Sequence, residues 1–419
     1  MTILSGHMTY WVTVVIFTVT YLGLAWGGLP GLRIDRAGIA MAGAAAMLGV
    51  GAIAMHDAAA AVDAETVVLL LGMMIVVTSL QLAGFFAWAT DLIATHFSGA
   101  YTLLAMTIAL SGCLSALLVN DVVCVALTPL VLSLCLRLKR PPLPYLIGLA
   151  TASNIGSVAT ITGNPQNIII GSLSGISYLR FASRLAPVAV IGLLLNFAIV
   201  ALVYRRQLRS AGQSDVVKAT GLTHRSSKVH RRLLVRSLLI TGATVALFFA
   251  GFPIAIVALC AAALTLLSGV RSDKYYRRID WALLLMFSGL FIVVRAFEVN
   301  VVRTWGLDQW AASFQQPVLM ITGLSVVLSN LVSNVPAVLL FRSLIPNLAD
   351  PEAGWLTLAM SSTLAGNLTL LGSVANLIVV ETARRAGIVV SFFEYLKVGV
   401  VLTVLTTIVG VLWLMFTRY

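Results

Sequence analysis

Apolar runs long enough to cross a lipid bilayer recur from one end of this chain to the other, and they leave little freedom in the choice of fold. A spanning helix needs about 20 predominantly apolar residues. Such runs occupy 10–29, 37–55, 66–86, 101–136, 143–171 and 178–204 in the first half. In the second half they occupy 233–251, 254–270, 280–297, 318–345, 355–381 and 392–417. Charged residues make up 10% of the 419 positions and hydrophobic ones 60%. A soluble domain carries about a quarter charged residues, so a soluble enzyme and a disordered chain are both excluded. The chain reads as an all-α polytopic membrane protein. No cleavable signal peptide is expected, because no basic segment precedes the first run.

The order of runs is the same in both halves: three spans, a broken pair, an interrupted span and a last span. The halves also match near the breaks. Leu114-Ser115-Ala116-Leu117-Leu118-Val119-Asn120 reads against Leu328-Ser329-Asn330-Leu331-Val332-Ser333-Asn334. Thr160-Ile161-Thr162-Gly163-Asn164-Pro165-Gln166-Asn167 reads against Thr369-Leu370-Leu371-Gly372-Ser373-Val374-Ala375-Asn376. Two matches in one order point to an internal repeat. Residues 1–204 form the first copy, with broken pair 101–136 and interrupted helix 143–171. Residues 205–232 form a connector, and 233–419 form the second copy, with broken pair 318–345 and interrupted helix 355–381.

Lys and Arg set the orientation, since cytoplasmic connections are basic. The net charge of +12 is read in that sense, not as a nucleic-acid surface. Arg33 and Arg36, then Arg137, Lys139 and Arg140, the nine bases between Arg205 and Arg236, then Arg271, Lys274, Arg277 and Arg278, and finally Arg384 and Arg385 supply 20 of the 27 basic residues. All fall on one side only if both broken pairs are re-entrant hairpins. That gives about ten crossings, two inverted repeats and both termini outside.

Polar groups deep in apolar runs are the candidate functional residues. Asp121 is the one acidic residue in the middle of such a run. It is expected to cap a helix starting at Val122, to couple to a proton or ion, or to do both. The interrupted runs carry Asn164, Gln166 and Asn167 in one half and Ser373 and Asn376 in the other, and the hairpin tips carry Asn120, Ser333 and Asn334. Gly163 and Pro165, with Thr162 beside them, should break the first interrupted helix, and Gly372 the second. Unwound backbone at membrane depth persists only around a protein-lined or watery cavity. Half-helix ends ringed by amides and hydroxyls suit a small ion or polar solute. The four cysteines, Cys113, Cys124, Cys135 and Cys260, have no metal or haem spacing. The break at Asn120 takes Cys113, Cys124 and Cys135 off one helical line, which removes a three-thiol site. The runs hold no His pair, Ser–His constellation or second carboxylate near Asp121 in sequence, so the chain is not read as an enzyme.

At Leu118-Val119-Asn120-Asp121, Leu127-Thr128-Pro129 and Gly163-Asn164-Pro165-Gln166-Asn167 the chain resembles the ion transporter superfamily. Leu29-Pro30-Gly31-Leu32-Arg33-Ile34-Asp35-Arg36, Leu71-Gly72-Met73-Met74 and Ala83-Gly84-Phe85-Phe86 are similar to its arsenite permease branch. That group also holds sodium/proton antiporters and dicarboxylate symporters. The tips Val119-Asn120-Asp121 and Ser333-Asn334-Val335 depart from the Ser-Asn-Thr of the dicarboxylate members. The resemblance implies hairpin tips and interrupted helices meeting around a central site, a homodimer, and room for a cytoplasmic ATPase subunit. The expectation is a secondary transporter in a bacterial inner membrane that exports arsenite or antimonite by proton-coupled antiport. It needs no cofactor beyond a proton gradient, or Na+ in its place. Asp121 would carry the proton. Asn120, Asn164, Gln166, Asn167, Ser333, Asn334, Ser373 and Asn376 would bind the substrate. The alternative is sodium/proton exchange, or symport of a small oxyanion or dicarboxylate, on the same fold.

Overall fold

The computed structural model describes residues 6–26, 34–97, 99–209, 229–305 and 316–417. Most of the basic connector (210–228) and residues 27–33, part of the arsenite-permease-like stretch, lie outside the described residues. The described chain is all helical. Its first half holds α1 (Gly6–Trp26), α2 (Arg36–Gly49), α3 (Met55–Ala61), α4 (Ala64–Ala83), α5 (Phe85–His96), α6 (Ala100–Leu117), α7 (Asn120–Arg137), α8 (Leu143–Ser157), α9 (Pro165–Ser174) and α10 (Tyr178–Val203). After the short α11 (Arg205–Arg209) come α12 (Arg231–Phe249), α13 (Ile254–Leu266), α14 (Asp273–Tyr276) and α15 (Trp281–Asn300). The chain ends with α16 (Pro317–Val332), α17 (Asn334–Leu340), α18 (Pro351–Ala365), α19 (Val374–Arg385) and α20 (Phe392–Phe416). Eight described helices are long and apolar enough to span a bilayer. Both arms of the first broken pair are among them, at 18 residues each, whereas the return arm of the second, α17, has 7.

Each broken pair folds back on itself. In the first, Ser111 Oγ donates to the Leu149 carbonyl and Ser115 Oγ meets Ser153 Oγ, so α6 and α8 run parallel. The chain between them must return, and α7 does so, with Asn120 against Asn154. The second pair repeats the arrangement: Ser325 pairs with Ser361, and Asn330 Nδ2 donates to the Ala365 carbonyl.

The helix pairings recur in matching sets. α2 packs on α15 as α13 packs on α4, α6 on α8 as α16 on α18, and α7 on α19 as α17 on α9. Small residues bring two of these pairs together. A Cβ on Gly72 would come within 2.7 Å of the Ala258 carbonyl oxygen, and one on Gly289 within 2.7 Å of Ala40. The last helices of the two halves, α10 and α20, run antiparallel. Trp413 Nε1 donates to the Arg184 carbonyl at 2.8 Å near one end, and Tyr204 Oη donates to Glu394 at 3.3 Å near the other.

One element departs from the sequence reading. The third apolar run ends at Gly84, which takes φ 82 in the left-handed region that glycine tolerates. A separate helix, α5, then follows before the first hairpin.

Candidate functional site

The two interrupted helices break at equivalent places. α8 ends at Ser157, a single 3-10 turn spans Ile161–Gly163, and α9 restarts at Pro165. In the second copy the turn spans Leu370–Gly372 and α19 restarts at Val374, each boundary 209 positions later (370 − 161 and 374 − 165). Pro165 suits the restart, since the first helical residue needs no N–H partner. Gly163 serves by its size and not by left-handed backbone: a Cβ there would sit 2.2 Å from the Ser157 carbonyl oxygen. A Cβ on Gly372 would sit 2.9 Å from Asn330 Oδ1. Thr162 Oγ1 ties the first break to Tyr178 Oη at 2.8 Å.

Buried backbone groups freed by such breaks must find partners. Asn167 Nδ2 donates to the carbonyls of Ser157 and Thr160, both at 3.0 Å. Asn376 Nδ2 donates to those of Gly366 at 2.7 Å and Thr369 at 3.3 Å. Asn164 Oδ1 caps α9 through the Asn167 N–H at 2.8 Å, and Ser373 Oγ accepts from the Ala375 N–H at 3.2 Å. Asn164, Asn167 and Asn376 therefore brace the breaks from beneath.

Above them lies a cavity of about 480 Å³. Its wall includes Asn120, Asp121, Pro165, Gln166, Ser333, Asn334 and Ser373, drawn from both hairpin tips and both restarting half-helices. Of the nine residues expected to bind substrate or couple a proton, six thus face one space: Asn120, Asp121, Gln166, Ser333, Asn334 and Ser373. Four helices, α7, α9, α17 and α19, begin at its wall, with Asn120, Pro165, Asn334 and Val374 as first residues. Their N-terminal dipoles make the space favourable to negative charge or to oxygen lone pairs. Two groups remain unsatisfied. Asn120 Oδ1 and Asn334 Oδ1 have no partner, although the residues are only 4% and 8% exposed.

Asp121 is not a cap. α7 begins at Asn120, the extended Leu118 and Val119 make the turn, and no side chain caps the helix. The carboxylate stands in the first turn, partly buried, and opens on the cavity. Nor is it alone. Asp35, Arg36 and Asp280 line the same space. Asp35 and Asp280 are N-caps of α2 and α15, accepting from Gly38 N at 2.8 Å and Leu283 N at 3.0 Å. Read in sequence, these three flank the spans as ordinary cap and interface residues, and only tertiary folding carries them inward. A second cavity, of about 550 Å³, shares Asp121, Asp280 and Val374 and extends to Arg278. Among the described residues, no cluster of three His, Cys, Asp or Glu side chains could hold a metal ion.

Residues 12–365 match the family model described as citrate transporter, and the chain belongs to that family. An uncharacterized transporter of Mycobacterium tuberculosis is 30% identical over 97% of this chain and 98% of its own length. The silicon efflux transporter LSI3 of Oryza sativa subsp. japonica is 30% identical over 95% of this chain and 96% of its own. In fold the chain is similar to the YdaH transporter of Alcanivorax borkumensis, with a TM-score of 0.60 over 98% of this chain and 97% of that one at 16% identity. The protein is thus a multi-pass secondary transporter and not an enzyme.

Proposed function

We propose that this member of the citrate transporter family exports small uncharged hydroxide acids, arsenite and antimonite, in exchange for protons taken up at Asp121. The observation that carries the reading is the pair of buried, unpartnered oxygens, Asn120 Oδ1 and Asn334 Oδ1, on two residues that line one cavity with Asp121. Acceptors left bare in a buried site call for a ligand that donates. Arsenite near neutral pH is As(OH)3, three O–H donors on one small neutral centre. Its own oxygens can accept from the Gln166 amide and from the Ser333 hydroxyl. A proton on Asp121 turns one of its oxygens into a donor and removes the charge that strengthens its hold on a substrate O–H, so proton and substrate compete for the same carboxylate. Competition of that kind yields antiport when the site faces the two sides in turn. The rice relative is named for silicon efflux. The dissolved neutral oxyacid of silicon is likewise a set of O–H donors around a small centre.

The proposal includes inverted repeats with re-entrant hairpins and both termini outside. Three features support it: the matched helix pairings, the antiparallel α10 and α20, and the 7-residue α17, which at 1.5 Å per residue extends only about 10 Å. The four converging helix N-termini favour a second reading, uptake of a carboxylate anion as the family description suggests.

Flux into liposomes separates the two. The panel takes arsenite, silicic acid, citrate, sulfate and sodium, with and without a pH gradient. Arsenite flux driven by the pH gradient, with citrate inert, is the expected result. Citrate flux with arsenite inert would overturn the proposal in favour of the second reading.

A further inference from the structure

The two hairpin tips occupy equivalent places in the repeat, yet the structure holds them differently. At the first tip, Asn154 of α8 uses its whole hydrogen-bonding capacity. Its Oδ1 accepts from Asn120 Nδ2 at 3.1 Å and from Ser373 Oγ at 3.0 Å. Its Nδ2 donates to Asn367 Oδ1 at 2.9 Å and to Asn376 Oδ1 at 3.1 Å. The Asn120 amide thereby spends its Nδ2 on Asn154 and leaves its Oδ1 without a partner. Ser153 Oγ adds a bond to the Asn120 carbonyl at 3.3 Å, and Ser115 Oγ meets Ser153 Oγ at 3.0 Å.

The ties that reach the first tip itself do not recur in the second half. The residue equivalent to Asn154 is Thr363 (154 + 209). It bonds Asn164, Gln166 and Asn167, not the tip. Ser362, equivalent to Ser153, turns back on the Leu358 carbonyl of its own helix. Ser329, equivalent to Ser115, is buried with its hydroxyl unpartnered. The tip residue Ser333 sits at φ 76, a left-handed value that a side chain resists, whereas Leu118 and Val119 at the first tip are ordinary extended residues. The ties of the second hairpin lie to either side of its tip: Asn330 on the Ala365 carbonyl, and Tyr21 Oη on the Pro336 carbonyl at 3.1 Å. Behind its return arm lies an apolar cavity of about 330 Å³, walled by Leu339, Leu340, Phe341 and Leu344 against Phe17 and Phe297. The arm therefore has space to move into.

We propose that Asn154 is the positioning residue that makes the first tip the fixed wall of the substrate cavity, and that the second tip, Ser333–Asn334, is the wall that moves. This rests on the cavity being the transport site and does not depend on which substrate fills it. Amide hydrogen exchange of the full chain in lipid nanodiscs tests it. Without ligand, peptides covering 333–344 should exchange about tenfold faster than those covering 119–124. Asn154→Thr, which installs the residue of the other half, should raise exchange at 119–124 toward that of the second tip and leave 333–344 unchanged. Equal protection of the two tips in the unaltered chain, or a first tip indifferent to N154T, overturns the proposal. The comparison in the unaltered chain decides the question even if N154T does not fold. Arsenite is added as a separate arm, and only that arm bears on the substrate.

Discussion

A carboxylate in the first turn of a helix is favoured by the positive helix end and by polar neighbours. Asp121 has the N-terminus of α7 behind it, the cavity before it, and Asp280 on the same wall. Asp121→Asn keeps the shape and removes the titrating group. The variant should fold and should lose pH-gradient-driven flux, and undiminished gradient-driven efflux would remove Asp121 from the coupling role. The buried amides beneath the cavity behave differently. Asn167 and Asn376 each satisfy two backbone carbonyls freed by a helix break. Asn167→Leu or Asn376→Leu strands those carbonyls, at about 1–3 kcal/mol for each group left unpaired. Thermal unfolding of the purified variants should show the loss directly, and an unchanged Tm would mean that water or relaxation replaces the amide. Their residue types were legible in the sequence, but their division of labour was not. Asn164, Gln166 and Asn167 are near neighbours in the chain, and only Gln166 reaches the cavity wall.

Among the elements, the legible features were those with a local cause. Pro165 and Gly163 announce the first break, and the repeat transfers it to Gly372, where no proline stands. α5 was not legible, because its apolar residues merge with those of α4 and only the left-handed turn at Gly84 divides them. Asp280 was not legible as a cavity residue either. It caps α15 in the ordinary way, and its approach to Asp121 is created by packing between the halves. That packing depends on close backbone contact. Within a membrane, helices associate through tight contact between small residues, since lipid supplies no hydrophobic drive. Gly72 against Ala258 and Gly289 against Ala40 are the two equivalent contacts. Gly72→Val and Gly289→Val should each push a helix pair apart and destabilise by about 1–3 kcal/mol. Similar losses in the two variants are expected from the repeat. A loss in only one would show that the halves are stabilised by different contacts.

For the molecule as a whole, the sides of the membrane can be assigned from charge, and the cavity then has a direction. The first cavity touches Arg36 and the second, which shares Asp121 and Asp280 with it, touches Arg278. Both arginines belong to the basic groups expected in the cytoplasm by the excess of Lys and Arg there. The conformation described is therefore expected to open inward, with the path from Asp121 leading between α5, α7 and α19 to the basic face. Val125 lies on that path, 51% exposed and lining the second cavity. A cysteine in its place should react with a membrane-impermeant maleimide in inside-out vesicles and resist it in right-side-out ones. The test is run in a background where the exposed Cys113 and Cys260 are serine. Labelling from the outside alone would reverse the orientation of both repeats. Labelling from neither side would close the path. With substrate present, a carrier that exposes its site alternately should spend less time inward-facing, and the rate of labelling should fall.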